Sequence, residues 1–225
     1  MKILVACEES QVVCKAFRDR GHEAYSCDII PCSGGHPEWH IQDDVRNLLF
    51  ATGNYKSYPY PKGAPSPGDQ GFWDVMIAHT PCTYVCNSGV TWLKEKDGSL
   101  NAHRYLRCIN AAAFFKLLWD GITCKIPKIC MENPIPHRYA ELPKYTQIVQ
   151  PWMFSHPETK ATCLWLKNLP KLIPTNDVRK EMLLLPKNKR ERLHYLPPSP
   201  DRARIRARTF EGLANAMAAQ WGDLK

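Results

Sequence analysis

Three short polar segments of the 225-residue chain carry thiol and carboxyl side chains directly after apolar runs. They are Cys7-Glu8-Glu9, Thr80-Pro81-Cys82 and Glu132-Asn133-Pro134. A cysteine thiolate is a nucleophile and a carboxyl group exchanges protons, so together they could support nucleophilic catalysis with acid–base assistance. Taken singly, a Pro-Cys loop or a Glu-Asn-Pro turn is more often structural than catalytic. Their occurrence at successive strand ends favours a shared site.

The apolar runs before these segments predict the strands that must position them. Segments 2–7 and 22–28 flank a helical segment at 10–20, and this strand–helix–strand unit is typical of a mostly parallel, doubly wound α/β sheet. Further strands are predicted at the run ending in Asp43-Asp44, at 73–79, 128–131 and 162–166, and helices at 45–51, 101–120, 177–185 and 210–221. Ligands bind beyond the carboxyl ends of parallel strands, so the three polar segments should face one crevice.

The order of these segments resembles a known family. The run from Asp74 to Cys82 resembles the strand and Pro-Cys loop of the cytosine-5 DNA methyltransferases, and Met131-Glu132-Asn133-Pro134, about fifty residues later, is similar to their Glu-Asn-Val element, with proline in place of valine. Segment 206–217 resembles the final motif of the family, and 156–165 lies where the family has an Arg-bearing turn. The resemblance covers most of 2–166 and 206–222. The chain also resembles small phage-type proteins that begin with a Cys-Glu-Glu-Ser segment.

The resemblance implies a single Rossmann-like class I methyltransferase domain, an enzyme that transfers a methyl group from S-adenosyl-L-methionine to carbon 5 of cytosine in DNA. Cys82 would add to carbon 6 of the ring, and Glu132 would act as the acid at ring nitrogen 3, as a carboxyl of raised pKa. Asn133 and the cation Lys160 would hold the loop or polarise the ring carbonyl. Because the reacting atoms lie inside a duplex stack, the base must flip out or be single-stranded.

The cofactor-binding residues that the resemblance implies lie near the ends of the first strands and in the Pro-Cys loop. They are Cys7, Glu8, Glu9, Asp28, Asp44 and Pro81. Asp28 would hold the ribose hydroxyls, and Asp44 would lie near the adenine. The first turn lacks the glycines of the family, and its two carboxylates argue against a dinucleotide pyrophosphate but tolerate a sulfonium cation. A role for Glu8 or Glu9 in capping the following helix is equally open.

Positive charge is concentrated near the C-terminus. The chain has 30 Lys and Arg against 22 Asp and Glu, and segment 178–208 holds ten Lys and Arg against three acids. Arg202, Arg204, Arg206 and Arg208 alternate, so in an extended chain they would share one face and bind nucleic-acid phosphates. A solvated surface is the alternative. The predicted layout is a surface insertion at 53–71, a basic extension at 167–208 in place of a target-recognition domain, and a helix at 209–222 that packs back on the first strand.

Composition bounds the remaining possibilities. No apolar run is long enough to span a membrane, and ten cysteines without a secretory signal predict reduced thiols and a cytoplasmic location. The spacing of Cys27, Cys32, His36 and His40 is loosely zinc-like but departs from ordinary zinc fingers, so no metal is predicted. If Cys82 is a nucleophile, its thiol should have a depressed pKa. Two other functions stay open: modification of cytosine in a nucleotide or RNA with another donor, and a catalytically inactive, basic nucleic-acid-binding protein of the same fold.

Overall fold

The computed structural model describes residues 1–50, 60–64, 72–121 and 125–224, which form an α/β structure around one seven-stranded mixed sheet. The strands are β1 (Lys2–Ala6), β2 (Glu23–Asp28), β3 (His40–Gln42), β4 (Val75–His79), β5 (Lys128–Pro134), β6 (Gln147–Val149) and β7 (Thr162–Lys167). The helices are α1 (Val12–Arg18), α2 (Val45–Phe50), α3 (Ala102–Lys116), α4 (Arg179–Leu184), α5 (Lys187–Arg190), α6 (Arg202–Ala207) and α7 (Glu211–Trp221). This architecture is compatible with a Rossmann-like fold.

The sheet has the order β3-β2-β1-β4-β5-β7-β6, and β7 runs antiparallel to both of its neighbours. The first five strands in this order are parallel, as the sequence predicted. Strands β1 and β4 lie in the centre and are apolar along nearly their whole length because helices and loops cover both faces of the sheet. The carboxyl ends of β1, β4 and β5 therefore meet at one edge.

Strand β5 is longer than predicted and carries Glu132 and Asn133 within it. The sequence predicted a strand that ends at residue 131 and a polar segment after it, but β5 pairs with β7 through Pro134. Proline is tolerated there because it is the last residue of the strand. Strand β6 was not predicted, since three residues carry too little pattern to identify.

The basic segment 170–208 was expected to hold one helix and instead holds three. Helix α5 begins directly after Pro186, and α6 begins two residues after Pro200 and ends two residues before Thr209. Proline ends a helix but is well tolerated at its first turn, so the prolines bound these short helices rather than exclude them.

Helix α7 packs against α1 and shares a hydrophobic core with β1. Gly212 allows the start of α7 to approach the backbone of Phe154 closely, because a Cβ atom at this position would lie 1.9 Å from the Phe154 backbone oxygen. The backbone N–H of Gly212 donates to Nε2 of His156 at 3.0 Å, which satisfies one amide at the start of the helix.

None of the helices in the described residues combines the length and the apolar composition needed to cross a lipid bilayer. Of the surface insertion predicted at 53–71, only 60–64 lie within the described residues. There Tyr60 donates a hydrogen bond to Asp43 at 3.0 Å.

Candidate active site

Strands β4 and β5 bring the Pro-Cys loop and the Glu-Asn-Pro segment together. His79 and Glu132 are register partners at the ends of these strands. One residue further along, the fully buried amide of Asn133 donates to the backbone oxygen of Thr80 at 2.8 Å and to its hydroxyl at 3.0 Å. Two segments that are 53 residues apart in sequence are thereby fixed at one edge of the sheet.

Glu132 forms a buried ion pair with His79. Oε2 of Glu132 lies 3.0 Å from Nδ1 of His79, and the two side chains are only 12% and 11% exposed. Burial would raise the pKa of Glu132, but the hydrogen bond and positive charge of His79, with Lys160, hold it below its ordinary value. The prediction of a raised carboxyl pKa is therefore wrong: Glu132 is ionised, because its strand neighbour is a cation.

The Cys82 thiol is half-buried and hydrogen-bonds to the side chain of Cys86. That bond, burial and the nearby Glu132 carboxylate raise the pKa of Cys82. The pKa of Cys86 is lowered, because its sulfur accepts from Cys82 and from the Ser88 hydroxyl, 3.0 Å away. The expected depression of the Cys82 pKa is thus not found, since negative charge in this pair is more stable on the neighbouring sulfur.

Lys160 supplies the cation of the site. Its ammonium group interacts electrostatically with Glu132 and Cys82 and donates hydrogen bonds to the backbone oxygens of Ala207 and Arg208, at 3.5 and 3.2 Å. Burial lowers the pKa of Lys160, while Glu132 and Cys82 oppose that shift. The contacts with α6 carbonyls tie the basic C-terminal segment to the site.

A small cavity opens beside Glu132 and Lys160. Thr162, Thr209 and Phe210 contribute to its lining, together with Val149, Gln150, Pro151 and Leu213. Cys82 does not line this cavity. Its walls come from β5, the end of β6 and the residues after it, β7 with the residue two positions before it, and the start of α7.

The turn after β1 contains no glycine, yet two of its residues have positive φ angles. Cys7 and Gln11 both adopt the left-handed region, with φ near 58° and 57°. Glu8 is 4% exposed, and its carboxylate accepts from the backbone N–H groups of Val13 and Cys14 at 2.7 and 3.1 Å. The structure thus gives Glu8 a role in capping α1, and its oxygens face the helix terminus.

Two of the residues proposed to bind a cofactor, Asp28 and Asp44, lie close to Cys7. Burial and these two carboxylates raise the pKa of Cys7 to about 12. Burial also raises the pKa of Asp28, whereas Arg46, with its Nε 3.0 Å from Oδ1 of Asp44, lowers that of Asp44. The half-buried Glu9 and the exposed Pro81 complete the predicted set. This edge thus holds two carboxyl groups near Cys7, of which that of Asp44 is paired with Arg46.

The four alternating arginines do not lie on an extended chain. Arg202 to Ala207 form α6, and in a helix residues two apart point in different directions. Arg202 donates to the backbone oxygen of Leu196, Arg204 pairs with Asp201 and Arg208 with Glu211. The prediction of one arginine face is therefore wrong, because local hydrogen bonding made the segment helical.

The candidate zinc ligands do not converge. The Cys27 thiol donates to the backbone oxygen of Asp43, and His40 contacts Ser26 and Ile30 through its two ring nitrogens. In the part of the chain that the structure describes, no group of three or more His, Cys, Asp or Glu side chains could hold a metal ion.

His79 is the site residue that sequence reasoning missed. A signal was present, since it is a titratable residue at the end of an otherwise apolar strand, directly before Thr80-Pro81-Cys82. Its contact with Glu132 depends on the register between β4 and β5. The site thus unites two neighbouring thiols, an ion pair and a cation. The chain as a whole matches no model of a known protein family and no curated protein.

Proposed function

We propose that this chain is a methyltransferase of Rossmann-like class I fold that acts on carbon 5 of cytosine in DNA, with S-adenosyl-L-methionine as cofactor and Cys82 as nucleophile. The observation that carries the proposal is the junction of β4 and β5, where the Asn133–Thr80 hydrogen bonds hold the Cys82 loop beside the buried Glu132 carboxylate. The strand order, with β7 alone reversed, is compatible with this fold.

The site residues match what the reaction requires. Carbon 5 of cytosine becomes nucleophilic only after an addition to carbon 6, and a cysteine sulfur both adds and leaves readily. Cys82 is held as a thiol at rest by its raised pKa, so its proton departs as the bond to carbon 6 forms. Lys160, which interacts electrostatically with both Cys82 and Glu132, stabilises negative charge on the sulfur and on the ring.

The ionised Glu132 suits the edge of cytosine. A carboxylate accepts hydrogen bonds, and the exocyclic amino group of cytosine donates them, whereas thymine and uracil present an oxygen there. Glu132 would therefore select cytosine by accepting from its amino group next to ring nitrogen 3. Its fixed position between His79 and the β7 strand keeps this acceptor oriented before substrate binds.

The acidic edge at β1 and β2 fits the cofactor in part. Asp28 would accept from ribose hydroxyls, and Asp44 and Cys7 would lie near the base, while the carboxylates favour a sulfonium cation. S-adenosyl-L-methionine would supply the methyl group. Glu8 is committed to capping α1, so the backbone of the turn, and not this carboxylate, would meet the ligand.

A DNA partner is supported by positive charge near Lys160, because the end of α5 lies against the preceding residue: the backbone N–H of Thr159 donates to the backbone oxygen of Arg190 at 2.7 Å. Lys180, Lys187 and Lys189 are exposed on α4 and α5. Phosphate contacts by such side chains supply most non-specific affinity for DNA and make it depend on salt.

Two isotope assays test the proposal together. One follows label from methyl-tritiated S-adenosyl-L-methionine into duplex DNA, single-stranded DNA, RNA or dCMP. The other follows release of tritium from carbon 5 of cytosine, which needs addition at carbon 6 but no methyl donor. Both signals should occur with duplex DNA, vanish in Cys82→Ser and persist in Cys32→Ser, a partly exposed cysteine outside the site.

The outcomes separate the rival functions. If tritium release depends on Cys82 but no methyl group is transferred, the enzyme modifies cytosine with a donor other than S-adenosyl-L-methionine. If the signals occur only with RNA or dCMP, that molecule and not DNA is the substrate. Salt-sensitive DNA binding with neither signal would refute catalysis and favour a binding protein that retains the fold.

A further inference from the structure

His79 and Glu132 lie side by side because of the sheet register. His79 is the last residue of β4, and Glu132 lies two residues before the end of β5. The two residues are register partners, and Nδ1 of His79 is 3.0 Å from Oε2 of Glu132. Both side chains are almost fully buried. Burying such a pair costs desolvation free energy. Its position near the ends of the strands, close to the proposed nucleophile, therefore indicates a functional role.

The charged groups around His79 come from three elements. Glu132 on β5 makes the hydrogen bond, the Glu8 carboxyl group in the turn after β1 favours the charged ring although burial raises the pKa of Glu8 itself, and Lys160 before β7 opposes them. The two carboxylates outweigh the single ammonium group and raise the pKa of His79 despite its burial. The other ring nitrogen, Nε2, is buried and has no hydrogen-bond partner among the described residues.

This charge state poses a problem for the chemistry proposed above. Addition of a thiolate to carbon 6 pushes electrons onto ring nitrogen 3, which needs a proton or a strong hydrogen bond. An ionised Glu132 has no proton to donate. His79, in contrast, carries a proton on Nδ1, the nitrogen that is hydrogen-bonded to Glu132. Glu132 would in turn contact the substrate.

We propose that His79 is the proton reservoir of the site, and that it acts on the substrate through Glu132. The inference rests on the proposed function. His79 is a positioning residue, since Glu132 makes the contact with the ring.

The proton balance closes over one addition and elimination. As the bond between Cys82 sulfur and carbon 6 forms, the carbon 5–carbon 6 double bond opens and the thiol proton leaves to solvent through the exposed side of Cys82. His79 gives its Nδ1 proton to Glu132, and Glu132 passes that same proton to ring nitrogen 3, which leaves imidazole and carboxylate. Carbon 5 then takes a solvent proton or the methyl group and loses its own hydrogen to solvent as a proton. When the sulfur departs, it takes a proton from solvent, nitrogen 3 returns its proton through Glu132, and His79 is again an imidazolium.

The first test measures the pair without substrate. Long-range ¹H–¹⁵N NMR spectra of the whole chain, recorded across pH, report the protonation of each histidine ring. His79 should stay doubly protonated above pH 6.5, and Glu132→Gln should lower its pKa by about 1–3 units. His22 is the internal control: its Nε2 is also buried, but burial and the N-terminal amine lower its pKa. A neutral His79 at pH 6.5 that does not respond to Glu132→Gln would overturn the proposal.

The second test uses tritium release from carbon 5 of cytosine, with His79→Gln compared to His22→Gln. Glutamine can still donate to Glu132 but holds no transferable proton, so kcat should fall by about 10²–10⁴-fold. KM for DNA should change little, and the decline of the wild-type rate at high pH should disappear. His22→Gln should behave as wild type. Unchanged kcat and pH profile in His79→Gln would refute the relay and leave the proposed function intact. Absence of release in the wild type would refute both.

Discussion

Replacing Asn133 by aspartate tests whether one side chain joins β5 to the loop that follows β4. The amide group of Asn133 is fully buried and donates both of its hydrogen bonds to Thr80. Aspartate has nearly the same size, so packing is preserved. What changes is the donor, because an ionised carboxylate would face the Thr80 backbone oxygen with no proton between them, while the Thr80 hydroxyl can turn to donate to it.

The size of the effect follows from linkage. A protonated aspartic acid can still donate one hydrogen bond, so near pH 3.5 the loss is about 1 kcal/mol. Burial raises the folded pKa above the unfolded value of about 3.9, and a raised acid pKa means that stability is lost as pH rises. Each pH unit above 3.9 then costs about 1.4 kcal/mol until the folded pKa is reached. If that value is 7 or higher, the loss at pH 7 is roughly 5 kcal/mol.

Thermal unfolding followed by circular dichroism between pH 3.5 and 7.5 measures this loss. For a chain of this length 1 kcal/mol shifts Tm by about 2–4 °C, so the deficit of Asn133→Asp should grow from a few degrees to about 10–20 °C. Asn110→Asp, on the exposed face of α3, should follow the wild type throughout. A deficit for Asn133→Asp that stays constant with pH would refute the reasoning.

Three further outcomes are expected. Gly212→Ala should lower the free energy of unfolding, measured in urea, by about 2 kcal/mol although alanine favours helices, because the new Cβ meets the backbone oxygen of Phe154. The control Asn215→Ala, exposed on the same helix, should raise this free energy by about 0.5 kcal/mol. An equal increase in both variants would contradict the close contact between Gly212 and Phe154. The loss of stability in the double variant His79→Gln/Glu132→Gln should be largest between pH 4.5 and 6.5. The lowered pKa of Glu132 stabilises the folded state above pH 4.5, and the raised pKa of His79 stabilises it below pH 6.5. A loss of stability that does not change with pH would exclude the ion pair. Lys189→Ala should reduce the slope of log K for DNA against log salt by about 0.9 in anisotropy titrations, and an unchanged slope would remove it from the interface.

Much of the scaffold could be predicted from local sequence. Runs such as Lys2–Ala6 and Val75–His79 are apolar on both faces, and Gly21, with φ near 81°, follows the helix between the first two strands, so a parallel α/β sheet follows from local patterns. The position of Cys82 and Glu132 after such strands also placed them at one edge. These features depend on residues that are close together in the chain, and local sequence therefore carries them.

Tertiary structure decided the charges and the fine geometry. Glu132 is ionised because the β4–β5 register places His79 against it, and Cys82 keeps its proton because the fold of its loop directs it to Cys86. The arginines after Pro200 became helical, and Glu8 turned inward to α1. A pKa and a hydrogen-bond partner are set by distance and burial, which the folded chain fixes and a sequence pattern does not display.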